Sequence, residues 1–408
     1  MTPTYRIAGN TVTEHELELP LDHARTDGPT ITVFARVVTA EDGGDRPYLV
    51  FFQGGPGQEA PRPGVGGPWI ERALEDYRIV LLDQRGTGRS TPIGTLPGLG
   101  AQEQADYLTY HRADAIVRDA EAFRAHLGAD RWSVLGQSFG GFCVTTYLSI
   151  APDGVREAFV TGGLPPLRRP TEDVYRHTYD RVRDRNERFY ARYPEDRDRV
   201  HRIHALLESE DVRLPSGDRL TVRRLRQFGT VLGMSDGAER LHYILERPPR
   251  SPAFLHDVDR ELSFARNPLY AIVHEACYAD ACVTGWAAER VMPDDFRTKP
   301  ELFTGEMVYR WMFEEYGALA PLREAAELLA RHEWPALYRP DRLAANDVPS
   351  AAAVYVNDMY VERVFSEETA AHIRGLKPWI TNEYEHDGLR KDGSRVLGHL
   401  IDLVRGRA

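Results

Sequence analysis

Apolar runs separated by turns and loops dominate the first 165 residues and predict β-strands. Residues 15–19 alternate between polar and apolar, and residues 30–38 are rich in β-branched side chains. Four shorter apolar runs have the length and composition of buried strands: 47–52, 77–82, 131–135 and 159–164. The stretch Ala113–Leu127 instead repeats its apolar positions every three to four residues, which predicts a helix that ends at Gly128. This alternation predicts a mostly parallel sheet with helices on both faces.

The pattern changes at about Pro165. Residues 171–207 are densely charged with helical spacing, and strand patterns nearly vanish before residue 348. A strand at 348–356, a helix through 369–373, a strand at 377–382 and a closing helix at 396–404 then follow. We therefore predict an α/β core formed by residues 1–164 and 346–408, with a mainly helical cap, residues 165–345, inserted before the last core strands.

Composition and charge narrow the possible partners. The 408-residue chain is 42% hydrophobic and 28% charged, as in globular proteins, and its net charge of −11 argues against nucleic acids and anionic membranes. It has neither an apolar run long enough to span a bilayer nor an apolar secretory leader, so we expect a cytoplasmic protein. Three cysteines cannot form a disulfide framework, and Cys277 and Cys282 have no companion ligand cluster. We expect no metal and no cofactor.

The most informative motif is Gly136-Gln-Ser138-Phe-Gly140, which follows the strand predicted at 131–135. A serine in Gly-x-Ser-x-Gly can occupy a strained strand-to-helix turn, because glycines leave room for the neighbouring strand and helix. Such a serine is an accessible nucleophile when a histidine lies within reach. We interpret Ser138 as the nucleophile of a serine hydrolase.

A nucleophilic serine needs a histidine as base and an acid to orient that histidine. In folds with this motif, the acid follows the serine along the chain and the histidine follows the acid. Asp358 lies just past the strand at 348–356, and His386 lies in a polar loop after the strand at 377–382. We predict that these two residues complete a catalytic triad, with Asp347 as the alternative acid. Asp387, next to the histidine, is expected to serve the loop turn.

An oxyanion hole needs two backbone N–H donors close to the nucleophile. Phe139 supplies one, because it follows Ser138 at the start of a helix. The glycine loop Gly54-Gly55-Pro56-Gly57 follows an early strand and can supply the other, with Gly55 preferred to Gly54. The segment Asp83-Gln-Arg-Gly-Thr-Gly-Arg-Ser90 has no Lys-Ser/Thr ending, so we interpret it as a turn braced near the site rather than a nucleotide loop.

Together these motifs resemble the prolyl aminopeptidase (proline iminopeptidase) family of serine peptidases. The matching pieces are the glycine loop, the Asp83–Ser90 segment, the motif around Ser138, Asp358 and His386. The resemblance implies an α/β-hydrolase fold, a helical cap and metal-free release of an N-terminal residue, typically proline. Gln53 and Phe139 stand where the family usually has histidine and tryptophan.

The resemblance also implies cap carboxylates that bind the free amino end of a substrate. Glu275, in Ile272-Val-His-Glu-Ala-Cys-Tyr278, is the first candidate, and Glu306 is the second. The expected partners are short peptides or aminoacyl amides with a free N-terminus. Two other hypotheses stay open at this point: a carboxylesterase, thioesterase or lactonase on the same fold, and a non-catalytic small-molecule binding protein that retains the triad.

Overall fold

A twisted sheet of nine strands organises the computed structural model, which describes residues 3–64 and 66–408. The strands lie in the order β1-β2-β3-β5-β4-β6-β7-β8-β9. β1, β2 and β3 pair antiparallel and β3 pairs antiparallel with β5, whereas all pairs from β5 to β9 are parallel. The strands span Thr4–Ile7, Asn10–Pro20, Thr30–Thr39, Tyr48–Phe52, Arg78–Asp83, Trp132–Gln137, Val155–Thr161, Ser350–Tyr355 and Leu376–Thr381.

The α-helices of the described residues fall into three groups along the chain. Those before β7 are α1 to α4, which span Pro68–Leu74, Ala101–Thr109, Ala113–His126 and Phe139–Ile150. Those between β7 and β8 are α5 to α15, which span Thr171–Arg192, Asp196–Ser209, Val222–Leu225, Gly237–Leu245, Pro252–Leu262, Pro268–Val273, Ala287–Arg290, Asp294–Thr298, Met312–Glu315, Arg323–Ala330 and Pro340–Ala344. The last three, α16 to α18, span Arg363–His372, Gly388–Lys391 and Gly393–Val404. Short 3₁₀ turns occupy Pro152–Gly154, Arg226–Gly233, Glu275–Tyr278 and Ala320–Leu322.

Side-chain alternation along the central strands builds two apolar cores, one on each face of the sheet. In β4, Val50 and Phe52 pack with α3 and α4, whereas Leu49 and Phe51 pack with α1 and α18. Because both faces are covered, the central strands are mostly apolar, which explains why the sequence shows short apolar runs there. The core that contains α3 and α4 continues into the apolar residues of α5 to α15.

The predicted elements agree with the structure except at several boundaries. The helix after Ser138 begins at Phe139, where the sequence analysis places the start of a helix, and Gly140 and Gly141 belong to its first turn. β7 ends at Thr161 rather than at residue 164, since Gly162 takes a left-handed conformation with φ of 51°. α1 and α2 were not predicted. In the described part of the chain, no helix is both long and apolar enough to cross a membrane.

Candidate active site

Ser138 occupies the turn between β6 and α4 in a strained conformation, with φ of 55° and ψ of −126°. Such a positive φ is rare for a residue with a side chain and marks a constrained position. The turn is possible only with glycine on both sides: a Cβ on Gly136 would overlap the carbonyl of Gly140, and a Cβ on Gly140 would overlap the carbonyl of Phe52. The local sequence therefore dictates that the Ser138 side chain leaves the carboxyl end of β6.

Asp358 and His386 meet at the same edge of the sheet. The Nδ1 atom of His386 lies 2.7 Å from Oδ2 of Asp358. The other carboxylate oxygen of Asp358 accepts hydrogen bonds from the backbone N–H groups of Tyr360, at 2.8 Å, and Val361, at 3.1 Å. These bonds fix the orientation of the carboxylate. Because Nδ1 faces Asp358, the Nε2 atom of His386 is left to act on a proton elsewhere.

Burial and charge act on His386 in opposite directions. Burial opposes the charged form, but the ion pair and hydrogen bond with Asp358 outweigh it, so the pKa of His386 is raised above its usual value. The carboxylates of Glu306 and Asp387 act in the same sense as Asp358. An imidazolium that forms during proton transfer is therefore stabilised, as a general base requires.

Two glycines after β7 lie against Ser138 and His386. A Cβ on Gly163 would overlap the carbonyl oxygen of Ser138, and a Cβ on Gly162 would lie 3.3 Å from Nδ1 of His386. Adjacent residues thus contact Ser138 on one side and His386 on the other. The side chains of Ser138 and His386 also line one cavity of about 350 Å³.

The glycine loop after β4 lies against the nucleophile. A Cβ on Gly54 would stand 3.0 Å from Cβ and 3.6 Å from Oγ of Ser138, and both Gly54 and Gly55 line the cavity. The Gln84 side chain donates a hydrogen bond to the carbonyl of Gln53, at 2.9 Å, immediately before the glycines. Gln84 therefore supports the glycine loop, a role that sequence analysis did not assign.

The neighbours of Gln84 brace the turn through separate partners. Asp83 accepts two hydrogen bonds from Arg62, at 2.7 and 3.2 Å, and one from the backbone N–H of Arg89. Arg85 is fully buried and pairs with Asp119 at 2.6 and 2.7 Å. The segment is thus a structural turn beside the site, as the sequence interpretation held.

Glu306 is the cap carboxylate that reaches the cavity with Ser138 and His386. Its Oε1 accepts a hydrogen bond from the Tyr270 hydroxyl at 2.6 Å. Burial raises the pKa of Glu306 to about 7 despite that hydrogen bond. Within residues 3–64 and 66–408, no lysine or arginine pairs with Glu306, although His386 acts on it electrostatically. A buried carboxylate in the same small cavity as Ser138 therefore suits a cationic group brought by a ligand.

Glu275, the first candidate for the substrate amine, lies elsewhere in the cap. Its Oε1 accepts a hydrogen bond from the backbone N–H of Ala288 at 3.0 Å, so the carboxylate caps α11. It lines a separate void of about 20 Å³ among largely apolar side chains, not the cavity of Ser138. Burial raises its pKa to about 7. Of the two carboxylates that the sequence offered, Glu306 therefore lines the cavity of Ser138 and Glu275 does not.

Asp347, the alternative acid, is exposed and precedes β8. In a parallel sheet the amino end of a strand lies at the edge opposite the carboxyl ends, so Asp347 is remote from the turn that carries Ser138. Asp387 accepts hydrogen bonds from the backbone and hydroxyl of Ser235, at 3.0 and 2.6 Å. It anchors the loop, as expected, and its partner is a cap residue.

A second cavity, of about 580 Å³, adjoins the first. Gln58 and Glu306 line both cavities. The walls of the second one are largely aromatic and aliphatic and include Phe228, Phe264, Tyr270, Met307, Val308 and Tyr316. Within residues 3–64 and 66–408, no group of three or more histidine, cysteine or carboxylate side chains is placed to hold a metal ion.

Comparison with known proteins assigns this fold to one class. The alpha/beta hydrolase fold family matches residues 47–264, more than half of the chain, and the chain is therefore an α/β hydrolase. This confirms the predicted fold class.

Two similar relatives narrow the class further. A proline iminopeptidase of Aeromonas sobria is 49% identical over 96% of this chain and 96% of its own length. The proline iminopeptidase aneH of Aspergillus aculeatus is 36% identical over 97% of this chain and 94% of its own length. The chain belongs to the proline iminopeptidase family of α/β-hydrolase serine peptidases, which confirms the resemblance that the motifs carry.

Proposed function

We propose that the protein releases the N-terminal residue, most often proline, from peptides or small amides with a free amino end. The observation that carries this proposal is the position of Glu306, which lines the same cavity as Ser138 and His386. A nucleophile alone suits any acyl hydrolase, but a partly buried carboxylate opposite it selects substrates that bring a cation. Family membership supports the same reading.

The proposed reaction is acyl transfer through Ser138. His386 Nε2 takes the hydroxyl proton while Oγ attacks the first peptide carbonyl, and Asp358 stabilises the imidazolium that forms. The backbone N–H of Phe139 and one from Gly54 or Gly55 bind the oxyanion. The N–H of Phe139 has no partner within α4, because a helix leaves its first N–H groups free. His386 then protonates the leaving amine. Water attacks the acyl ester while His386 takes its proton, and His386 returns that proton to Ser138 Oγ as the amino acid leaves.

Glu306 would hold the substrate ammonium and so set the distance between the amino end and the scissile carbonyl. This arrangement accepts one residue before the cleaved bond, which defines an aminopeptidase. The adjoining apolar cavity begins at Glu306, and its aromatic walls offer a surface for a pyrrolidine ring or another apolar side chain. Hydrogen bonding from Tyr270 orients the carboxylate toward that junction.

Hydrolysis of matched chromogenic amides tests the proposal. Prolyl, alanyl and phenylalanyl amides would be compared with their N-acetyl forms and with a simple aryl acetate. We expect turnover of the free prolyl amide and its loss on acetylation, since acetylation removes the cation. Ester turnover that is indifferent to an amino group, without amide cleavage, would instead identify an esterase.

The pH dependence of kcat/KM should reveal two groups on its acid side. Binding needs ionised Glu306, whose pKa is about 7, and proton transfer needs neutral His386, whose pKa is raised by Asp358. Both groups become competent as the pH rises, so log(kcat/KM) should climb with a slope approaching two below those pKa values. The slope for kcat should be nearer one, because bound ammonium keeps Glu306 ionised.

The Glu306→Gln variant is the control for this profile. Its acid limb should fall to a slope of one, since only His386 then titrates. A slope of one in the unmodified enzyme would exclude Glu306 as an ionised binding group.

A further inference from the structure

The loop that carries His386 is tied to the cap at three consecutive residues. The Glu385 carboxylate pairs with Arg185 of α5, and the backbone N–H of His386 donates to the carbonyl of Gly233 at 3.3 Å. Asp387 then accepts from Ser235, as described above. His386 thus belongs to the core, but cap residues bind it and the residues before and after it.

Arg185 also reaches the loop of the acid. Its Nη1 donates to Oε1 of Glu385 at 2.8 Å and its Nη2 donates to the other oxygen of that carboxylate. The same Nη2 donates to the carbonyl of Asn357 at 2.7 Å. One guanidinium therefore joins the residue before His386 to the residue before Asp358.

The Arg185–Glu385 pair is partly buried, and a second ion pair lies one turn away on α5. The Arg185 side chain is 11% exposed and that of Glu385 is 27% exposed, so the contact is largely shielded from solvent. Arg181, one turn earlier on the same face of α5, forms a two-bond pair with Glu362, at 2.7 Å for each bond, at the start of α16. A planar guanidinium that makes several bonds at once restricts its partners in direction as well as distance.

We propose that Arg185 is a positioning residue that aligns His386 with Asp358 and makes their geometry depend on the seating of the cap helix α5. The inference rests on the proposed function of the triad. Arg185 does not line the cavity of Ser138, so its effect reaches the reaction only through the two loops. Displacement of a catalytic group by about 1 Å can cost about 100-fold in rate, so a loosened loop is expected to be visible in turnover.

The test is Arg185→Met, which removes every donor but keeps a long side chain. We expect kcat to fall about 10- to 100-fold with KM changed by less than about threefold, because the substrate pocket is untouched. Arg185→Lys should lie between the variant and the original, since one ammonium cannot span both partners as a guanidinium does.

Arg183→Met is the matched control. Arg183 lies on the same helix and pairs with Asp295 at 2.8 and 3.2 Å. Arg183 and Asp295 both belong to the cap, so this pair does not connect to the loops of Asp358 or His386. Its removal tests loss of a helix ion pair without loss of the bridge. We expect its kcat within about twofold of the original.

Two further measurements separate positioning from general loosening. The groups that face His386 are Asp358, Glu306 and Asp387, together with the Tyr360 ring at 4.6 Å. If Arg185→Met weakens the Asp358 contact, the acid limb of kcat should move to lower pH; loss of a nearby cation alone would raise the pKa of His386 and move it the other way. The rate at which a fluorophosphonate labels Ser138 should fall with kcat.

Phosphonate labelling also keeps the two proposals distinguishable. If the original enzyme labels but cleaves no aminoacyl amide, the proposed function fails, while a slower label in Arg185→Met still supports the bridge. The bridge is overturned if Arg185→Met retains kcat within about threefold, if the loss lies in KM alone, or if Arg183→Met loses as much activity.

Discussion

Replacement of Ser138 by alanine is expected to abolish hydrolysis of a free prolyl amide. The variant lacks the oxygen that forms the acyl intermediate, and in serine peptidases removal of the nucleophile lowers kcat by about a million-fold. The oxyanion donors and the cavity stay in place, so a residual rate about 10³- to 10⁴-fold above that of the uncatalysed reaction can persist. The measurement is kcat on the prolyl amide, with thermal unfolding to establish that the variant is folded.

Ser149→Ala is the matched control for this experiment. Ser149 is a buried serine on α4, the helix that Ser138 precedes, and its hydroxyl bonds to the carbonyl of Thr145 at 2.9 Å. It should retain activity close to that of the original enzyme. Activity of Ser138→Ala within tenfold of the original would refute the nucleophile assignment.

Glu306→Gln should cause the second largest loss, and its effect should depend on the substrate. Gln keeps the size and a hydrogen-bonding oxygen for Tyr270 but cannot neutralise an ammonium in a partly buried site. Loss of one partner of such a charge pair costs about 2 to 4 kcal/mol, so kcat/KM for the free prolyl amide should fall about 30- to 1000-fold. An aryl acetate, which has no amino group, should be hydrolysed at nearly the original rate.

Glu275→Gln provides the matched comparison, because it makes the same chemical change at the other cap carboxylate. Gln can still accept from the backbone of Ala288, so kcat/KM for the prolyl amide should change by less than about threefold. A larger loss in Glu275→Gln than in Glu306→Gln would restore Glu275 as the amine-binding residue. Equal loss for the amide and the acetate in Glu306→Gln would point to damaged catalysis rather than lost binding.

The three residues of the proposed triad could be predicted from the sequence because each has a strong local signal. Gly136 and Gly140 flank Ser138 in a motif that can be read directly from the sequence, and the structure gives each a steric reason: Gly136 lies against Gly140, and Gly140 lies against Phe52 of β4. Asp358 follows a fully buried strand and His386 follows the edge strand β9, and parallel strands bring their carboxyl ends to one edge. The same rule explains why Asp347, before its strand, is on the wrong side.

The cap was harder to predict because its sequence restricts it less. Helical periodicity indicates which face of a helix is buried but not which neighbour covers it. In α5, arginines 181, 183 and 185 look alike in the sequence, yet two of them contact core loops and one contacts the cap. The partner of Arg185 is 200 residues away along the chain, a separation across which periodicity carries no information.

By itself, the sequence determined the fold class and the family, and it was enough to predict the nucleophile, the acid and the base, since these depend on backbone geometry and on motifs that act over short distances. Only the tertiary structure decided that Glu306 rather than Glu275 faces Ser138 and that a cap arginine joins the two catalytic loops. Both results depend on how cap and core pack together. That packing brings side chains from distant segments within hydrogen-bonding distance, and no local pattern encodes it.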